Sequence, residues 1–133
     1  ELQKRKSKLE KPKFVFSDFC FDKQIEFFRK KGIRFRTAVC SRRAGKTVGI
    51  AADMIDDALE EGESNLLYIT ITQQQDRAII WADLIKIIEE FEMECKTDNT
   101  RLTIVFPNKS KIYIAGAKDR TEIEKFRVKE MLY

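Results

Sequence analysis

The chain contains no histidine. This absence excludes Ser-His-Asp and Cys-His nucleophile pairs, and it excludes zinc sites that use histidine ligands. Any general acid–base chemistry would therefore have to use carboxylates, lysine or bound water.

Cysteine is also scarce. The chain has three, Cys20, Cys40 and Cys95, which lie far apart in the sequence and form no CxxC pair. An odd number at this spacing predicts reduced, buried thiols in a cytosolic protein, with Cys20 and Cys95 acting as small core hydrophobes. No apolar run approaches the roughly 20 residues that span a bilayer. The polar N-terminus has no signal-peptide pattern.

Positive charge is concentrated in one part of the 133 residues, whose net charge is +4. Residues 29–46 carry eight basic side chains and no acidic one, whereas residues 47–133 carry 11 basic and 17 acidic ones. This distribution favours a polyanionic partner. Residues 1–13, with six basic and two acidic side chains, form a basic lead-in segment, which is either part of that surface or a solvated arm.

Residues 14–133 are enough for one hydrophobic core and about one domain. Apolar spacing and turn residues predict helices over 22–31, 48–60, 73–92 and 119–126, and strands over 33–40, 65–72, 101–106 and 111–115. Strand 65–72 is apolar enough to be buried on both faces. This order predicts an α/β fold of the P-loop NTPase type, a three-layer open sheet that is mainly parallel, with a β-hairpin near the C-terminus.

Helix 48–60 and the residue after it carry five carboxylates. They are Asp53, Asp56, Asp57, Glu60 and Glu61. A group of this kind could hold a metal ion, but we expect a solvated helix face instead.

The segment 40–47, CSRRAGKT, lies between predicted strand 33–40 and predicted helix 48–60, and we call it the GKT loop. Strand, GKT and helix in this order are typical of a phosphate-binding loop. Backbone N–H groups from Ser41 through Ala44 to Thr47 can surround phosphates at the positive end of the helix. Gly45 allows close approach because it has no Cβ. Lys46 would contact the β and γ phosphates of ATP, and the Thr47 hydroxyl would be a Mg²⁺ ligand.

Two features of the GKT loop depart from the usual pattern. Cys40 replaces the first glycine, so a basic turn between strand and helix is the alternative interpretation. Arg42 and Arg43 lie within the loop, where either could stabilise charge on the γ-phosphate in the transition state. Their alternative role is contact with a neighbouring acid or with nucleic-acid backbone.

Gln24 lies 16 positions before Cys40. A carboxamide can donate to and accept from the N6/N7 edge of adenine, and Phe21 could pack on the base. A single glutamine on a helix is otherwise a surface residue, so both interpretations stay open.

Turnover of ATP also needs an acidic residue at the end of an apolar strand, to hold Mg²⁺ and orient water. No predicted strand up to residue 115 ends in Asp or Glu, and a new apolar run begins at residues 131–133. We therefore expect a fragment that ends before its acidic (Walker B) strand and that is weak or inactive as an ATPase.

The segment SRRAGKT, the upstream Gln24 and the predicted hairpin together resemble the tailed-bacteriophage terminase large subunit. The resemblance covers the N-terminal part of its ATPase domain, which powers DNA packaging. It implies an ATPase with ATP and Mg²⁺ as cofactors, double-stranded DNA as substrate, and portal and small terminase subunit as partners. It further implies a homo-oligomeric ring in the host cell cytoplasm, absent from the mature virion and without a membrane.

The resemblance also assigns roles to single residues. Gln24 matches the adenine motif, Lys46 the catalytic phosphate lysine, Thr47 the magnesium ligand and Arg42 the catalytic loop arginine. Arg127, or Arg120 before it, could act in trans on a neighbouring subunit's nucleotide.

Two other functions fit the sequence. One is a helicase-like P-loop ATPase, which also pairs a glutamine motif with GKT. The other is a nucleotide- or nucleic-acid-binding module without turnover.

Overall fold

A computed structural model describes residues 13–71, 74–117 and 124. A 3-10 turn, Phe16–Asp18, is followed in chain order by α1 (Asp22–Arg29), α2 (Lys46–Glu60), β1 (Asn65–Thr70), α3 (Gln74–Glu90), β2 (Lys96–Asp98), β3 (Thr103–Val105) and β4 (Lys111–Gly116). The α/β class is thereby confirmed.

The described strands form one mixed sheet in the order β1-β4-β3-β2. Only β1 and β4 are parallel, while β4 with β3 and β3 with β2 are antiparallel. The predicted hairpin is confirmed, but the expectation of a mainly parallel sheet is wrong for these residues. Strand β2 escaped prediction because its sequence, Lys-Thr-Asp, is short, polar and exposed.

The hydrophobic core lies between α2, α3 and one face of the sheet. Helical spacing buries Met54 and Ile55 of α2, and the sheet contributes Leu66, Ile104 and Ile112, which stand side by side in the strand register. Because one cluster contains residues of both helices, α2 and α3 cover the same face. The described elements thus make two layers, and the three-layer arrangement remains a prediction.

The turn between β3 and β4 caps the end of α2. Asn108 Nδ2 donates to the carbonyl oxygen of Ala58 at 2.7 Å, and Ser110 Oγ donates to that of Glu61 at 2.7 Å. The last carbonyl groups of a helix have no partners within it, so these bonds fix α2 to the sheet.

The predicted strand 33–40 is wrong. Residues 33–40 have no regular structure and are all exposed, including Phe35 at 81% and Val39 at 98%. A strand needs a neighbour to satisfy its backbone groups, and no described strand pairs with this segment. Local alternation of apolar residues was therefore not sufficient to form it.

Strand β1 was predicted within 65–72 and is confirmed, but it is not buried on both faces. Ile69 is 47% exposed, because the helices cover only the other face of the sheet. The predicted helix 119–126 falls on residues of which the structure describes only 124. Within the described part of the chain, no helix has both the length and the apolar character needed to cross a membrane.

Candidate functional site

Gly45 is the residue that shapes the GKT loop. It precedes the first residue of α2, and its φ of 75° places it in the left-handed region, which glycine adopts without steric cost. A Cβ at Gly45 would lie 3.0 Å from Gln24 Nε2, so the position also lacks space for a side chain. The backbone angle therefore favours glycine, and a Cβ would in addition displace the Gln24 amide by a few tenths of an ångström.

Lys46 closes the loop on itself. Its Nζ donates to the carbonyl oxygen of Ser41 at 2.9 Å. An ammonium group has three N–H donors, so two remain for an anion without loss of this contact. Arg42 and Arg43 are exposed beside it, and the first turn of α2 contains no acidic residue. The surroundings of the helix N-terminus are consequently cationic.

Gln24 of α1 contacts the GKT loop through its side-chain amide. Nε2 donates to the carbonyl oxygen of Gly45 at 2.9 Å and to that of Ala44 at 3.5 Å, and Oε1 accepts from Phe21 N at 3.2 Å. Both ends of the amide are thus engaged within the protein. Adenine recognition by Gln24 remains a prediction, and it would require at least one of these bonds to be exchanged.

Gly49, one helical turn after Gly45, was not singled out in the sequence. A Cβ there would lie 3.1 Å from Phe28 Cε2 and 3.2 Å from Gln24 Nε2, so this glycine admits α1 against α2. A glycine inside a predicted helix is the signal that could have identified it.

Arg29 joins α1 to the carboxylates of α2. Its guanidinium lies 2.6 Å from Asp56 Oδ2, 3.6 Å from Asp53 Oδ1 and 3.9 Å from Asp57 Oδ1, and it covers the ring of Phe16 at 3.8 Å. The expected solvated face is therefore wrong for Asp53, which is 2% exposed, and for the half-buried Asp56 and Asp57.

The pKa of Asp56 is raised above its ordinary value. Burial is the largest cause, and the charges of Glu60 and Asp57 add to it, while Arg29 opposes the rise. Asp56, Asp57 and Glu60 have carboxylate oxygens within 4.8 Å of one another. Because Arg29 already contacts the first two, the group gives no support to a metal site.

All three cysteines are free thiols. Cys20 and Cys95 are half-buried, less than expected for core residues, and Cys40 at the start of the GKT loop is exposed. Burial raises the pKa of Cys95 to about 11, and burial together with the Asp53 charge raises that of Cys20. The reduced state of the protein in a cytosolic compartment remains a prediction.

The structure brings together Gln24 with the loop residues Ser41, Ala44, Gly45 and Lys46. Thr47 follows as the second residue of α2 and is half-buried. Arg120 and Arg127 lie outside the described residues. No family model, curated protein or solved structure matches the chain.

Proposed function

We propose that the chain is the ATP-binding part of a viral DNA-packaging motor of the terminase large-subunit type. In such a motor, ATP hydrolysis drives the translocation of double-stranded DNA. The observation that carries the proposal is the GKT loop, where a left-handed Gly45 opens α2 beside exposed Arg42 and Arg43. The proposed fold is that of a P-loop NTPase.

Each loop residue has a defined task in this proposal. The backbone N–H groups of residues 41–47 bind the phosphates, together with the positive end of α2. Lys46 donates to the β and γ phosphates while its bond to Ser41 holds the loop closed. Arg42 faces the charge that develops on the γ-phosphate. The Thr47 hydroxyl would hold Mg²⁺, which neutralises phosphate charge when bound.

The proposed loop can accept an anion without rearranging the helices. Gln24 of α1 donates to the carbonyl oxygens of Ala44 and Gly45, so these negative ends of the peptide dipoles already have a partner within the protein. Carbonyl oxygens directed at a phosphate would repel it, so this bond favours anion binding.

A second candidate is a nucleic-acid-binding module without turnover. The observation that favours it is the exposed segment 30–43, which carries six basic side chains and no acidic one. Such a surface attracts the phosphate backbone by itself.

Calorimetric titration with Mg-ATP tests the first proposal. Lys46→Ala should weaken ATP binding at least about tenfold, by removing a charge-assisted contact, while Lys86→Ala on the exposed side of α3 should leave it unchanged. Equal ATP affinity in wild type and Lys46→Ala contradicts the proposal. If DNA binds but ATP does not, the second candidate is supported instead.

A further inference from the structure

A second cationic site lies on the sheet face that α2 and α3 leave uncovered. There, residues of β2, β3 and β4, together with Arg77 of α3, line a half-open cavity of about 770 Å³. This volume falls within the range of small-molecule pockets, about 300 to 1,000 Å³. None of the described residues that line the cavity belongs to the GKT loop.

The strand register explains why charges gather on this face. Lys96 of β2 pairs with Val105 of β3, and Val105 pairs with Lys111 of β4, so the three side chains form one row across the sheet. Their sequence neighbours Ile104 and Ile112 face the helices and are fully buried. Alternation along each strand therefore separates an apolar core face from a cationic outer face.

The wall of this cavity is strongly positive. Among the described residues that line it, Arg77, Lys96, Arg101 and Lys111 are basic, and Asp98 is the one carboxylate. Asp98 Oδ1 accepts hydrogen bonds from the backbone N–H groups of Thr100 at 3.0 Å and Arg101 at 3.1 Å. Among described residues, Lys96, Arg101 and Lys111 form no ion pair. Their charges are consequently available to an anion.

The floor of the cavity is apolar. Leu102, Val105, Tyr113 and Ala115 line it, and Tyr113 and Ala115 are only 8% and 3% exposed. Thr97, Thr100 and Thr103 also line the cavity, and the Thr103 hydroxyl donates to the carbonyl oxygen of Arg101 at 3.3 Å. An apolar floor with a cationic wall matches a ligand that has both a flat apolar part and an anionic part.

We propose that this cavity binds a nucleotide unit, with its phosphate held by Lys96, Arg101 and Lys111 and its base or sugar over the apolar floor. The unit can belong to a free nucleotide or to a nucleic-acid strand, since both present the same chemistry. Lys96 and Lys111 are two strand spacings apart, roughly 10 Å, so one phosphate-bearing unit fits between them. The site is separate from the GKT loop and does not depend on it.

The test compares a triple variant, Lys96→Gln with Arg101→Gln and Lys111→Gln, against a control that removes three exposed lysines outside the cavity. The control changes are Lys23→Gln, Lys86→Gln and Lys109→Gln. Binding of a labelled single-stranded oligodeoxynucleotide and of dAMP is measured by anisotropy and calorimetry. Thermal unfolding checks that each variant is folded, and the single variant Lys96→Gln at the sheet edge replaces the triple variant if it is not.

We expect the cavity variant to lose about tenfold or more in affinity at low salt, and the control to lose much less. For the oligonucleotide, the slope of log K against log salt concentration should become smaller in magnitude by about 0.7 for each phosphate contact that is lost. Loss confined to the oligonucleotide identifies a nucleic-acid strand, and loss for dAMP identifies free nucleotide. Equal affinity of the cavity variant and the control for both probes overturns the proposal.

Lys46→Ala separates this inference from the proposed function. The cavity should retain oligonucleotide or dAMP binding when Lys46 is alanine. If Lys46→Ala abolishes all binding and the cavity variant has no effect, the cavity proposal fails while the GKT-loop proposal survives. If the cavity variant loses binding and Lys46→Ala does not, the GKT-loop proposal fails while the cavity proposal survives.

Discussion

Gln24 and Gly45 are joined by a 2.9 Å hydrogen bond from the Gln24 amide nitrogen to the Gly45 carbonyl oxygen. The bond connects α1 to the start of α2 across 21 positions of sequence. It gives Gln24 a second candidate role, that of holding the shape of the loop rather than recognising a base. The two roles differ in what they predict for different nucleotides.

We expect Gln24→Ala to weaken ATP and GTP binding by a similar factor, about three- to tenfold, because a typical hydrogen bond contributes about 1 kcal/mol. Adenine recognition by Gln24 predicts instead a loss for ATP alone. Calorimetric titration with both nucleotides measures the ratio of the ATP loss to the GTP loss. Lys23→Ala on the exposed side of α1 is the control. A loss restricted to ATP would restore the adenine interpretation.

Helical periodicity made α1, α2 and α3 predictable. Helices α2 and α3 bury apolar stripes in the core, and α1, which has no fully buried residue, packs Phe28 against Phe16. The strand predicted over 33–40 is wrong, although the prediction used the same kind of local pattern. Its alternation describes which faces could be buried, but strand formation depends on a partner elsewhere in the chain. The same reason applies to β2, whose polar residues pair with β3 without any local signal.

The candidate site was predictable where it depends on local chemistry and not where it depends on contacts across the fold. GKT before a helix identified Gly45 and Lys46. The loop carbonyl partners of Gln24 lie 20 and 21 positions away, and the carboxylate partners of Arg29 lie 24 to 28 positions away, so no spacing rule could identify them. The cationic cavity likewise appears only after β2, β3 and β4 are placed in register.

Replacement of two glycines with the same backbone angle isolates the contact made by Gln24. Gly32 and Gly45 both have φ of 75°, but a Cβ at Gly32 meets nothing within 4 Å, whereas at Gly45 it meets Gln24 Nε2 at 3.0 Å. Gly32→Ala should lower the free energy of unfolding by about 1 kcal/mol through backbone strain alone. Gly45→Ala should lower it further and weaken ATP binding.

Denaturant titration and ATP titration of both variants provide the comparison. In a Gln24→Ala background, where the amide is absent, the difference in unfolding free energy between Gly45→Ala and Gly32→Ala should become smaller. If the difference is the same with and without the Gln24 amide, the contact does not explain the requirement for glycine.

Arg29→Met should destabilise the fold by about 3 kcal/mol, because it removes the cation beside the buried Asp53 and the closely paired Asp56. Methionine keeps the apolar stem, so the loss reports mainly the charge. Arg34→Met is the matched control, since Arg34 also lies near an aromatic ring, that of Phe35 at 5.2 Å, but is exposed. Arg34→Met should lower the free energy of unfolding by less than about 0.5 kcal/mol.

A second substitution tests whether charge is the cause. Asp53→Asn in the Arg29→Met background should recover part of the lost free energy of unfolding, because it removes the buried carboxylate that Arg29 neutralised. Denaturant unfolding of the four variants gives the coupling energy. Additive effects of the two substitutions would show that Arg29 stabilises α1 by packing on Phe16 instead.

Thiol reactivity reports occupation of the GKT loop directly. Cys40 is exposed at the start of the loop, whereas Cys20 and Cys95 are half-buried with raised pKa values, about 11 for Cys95. The thiolate is the reactive form, so at pH 8 an alkylating reagent should modify Cys40 first and Cys95 slowest. Raising the pH towards about 11 should accelerate the alkylation of Cys95, because a larger fraction of this thiol becomes thiolate.

If the loop binds phosphates, Mg-ATP should slow modification of Cys40 severalfold and leave Cys20 and Cys95 unchanged. Mass spectrometry of peptides after timed alkylation resolves the three sites. Protection of Cys40 should disappear in Lys46→Ala, whose folded core is otherwise the same, and persist in Lys86→Ala. Equal protection of Cys40 in both variants would place the nucleotide away from Lys46, because protection would then depend on another part of the surface.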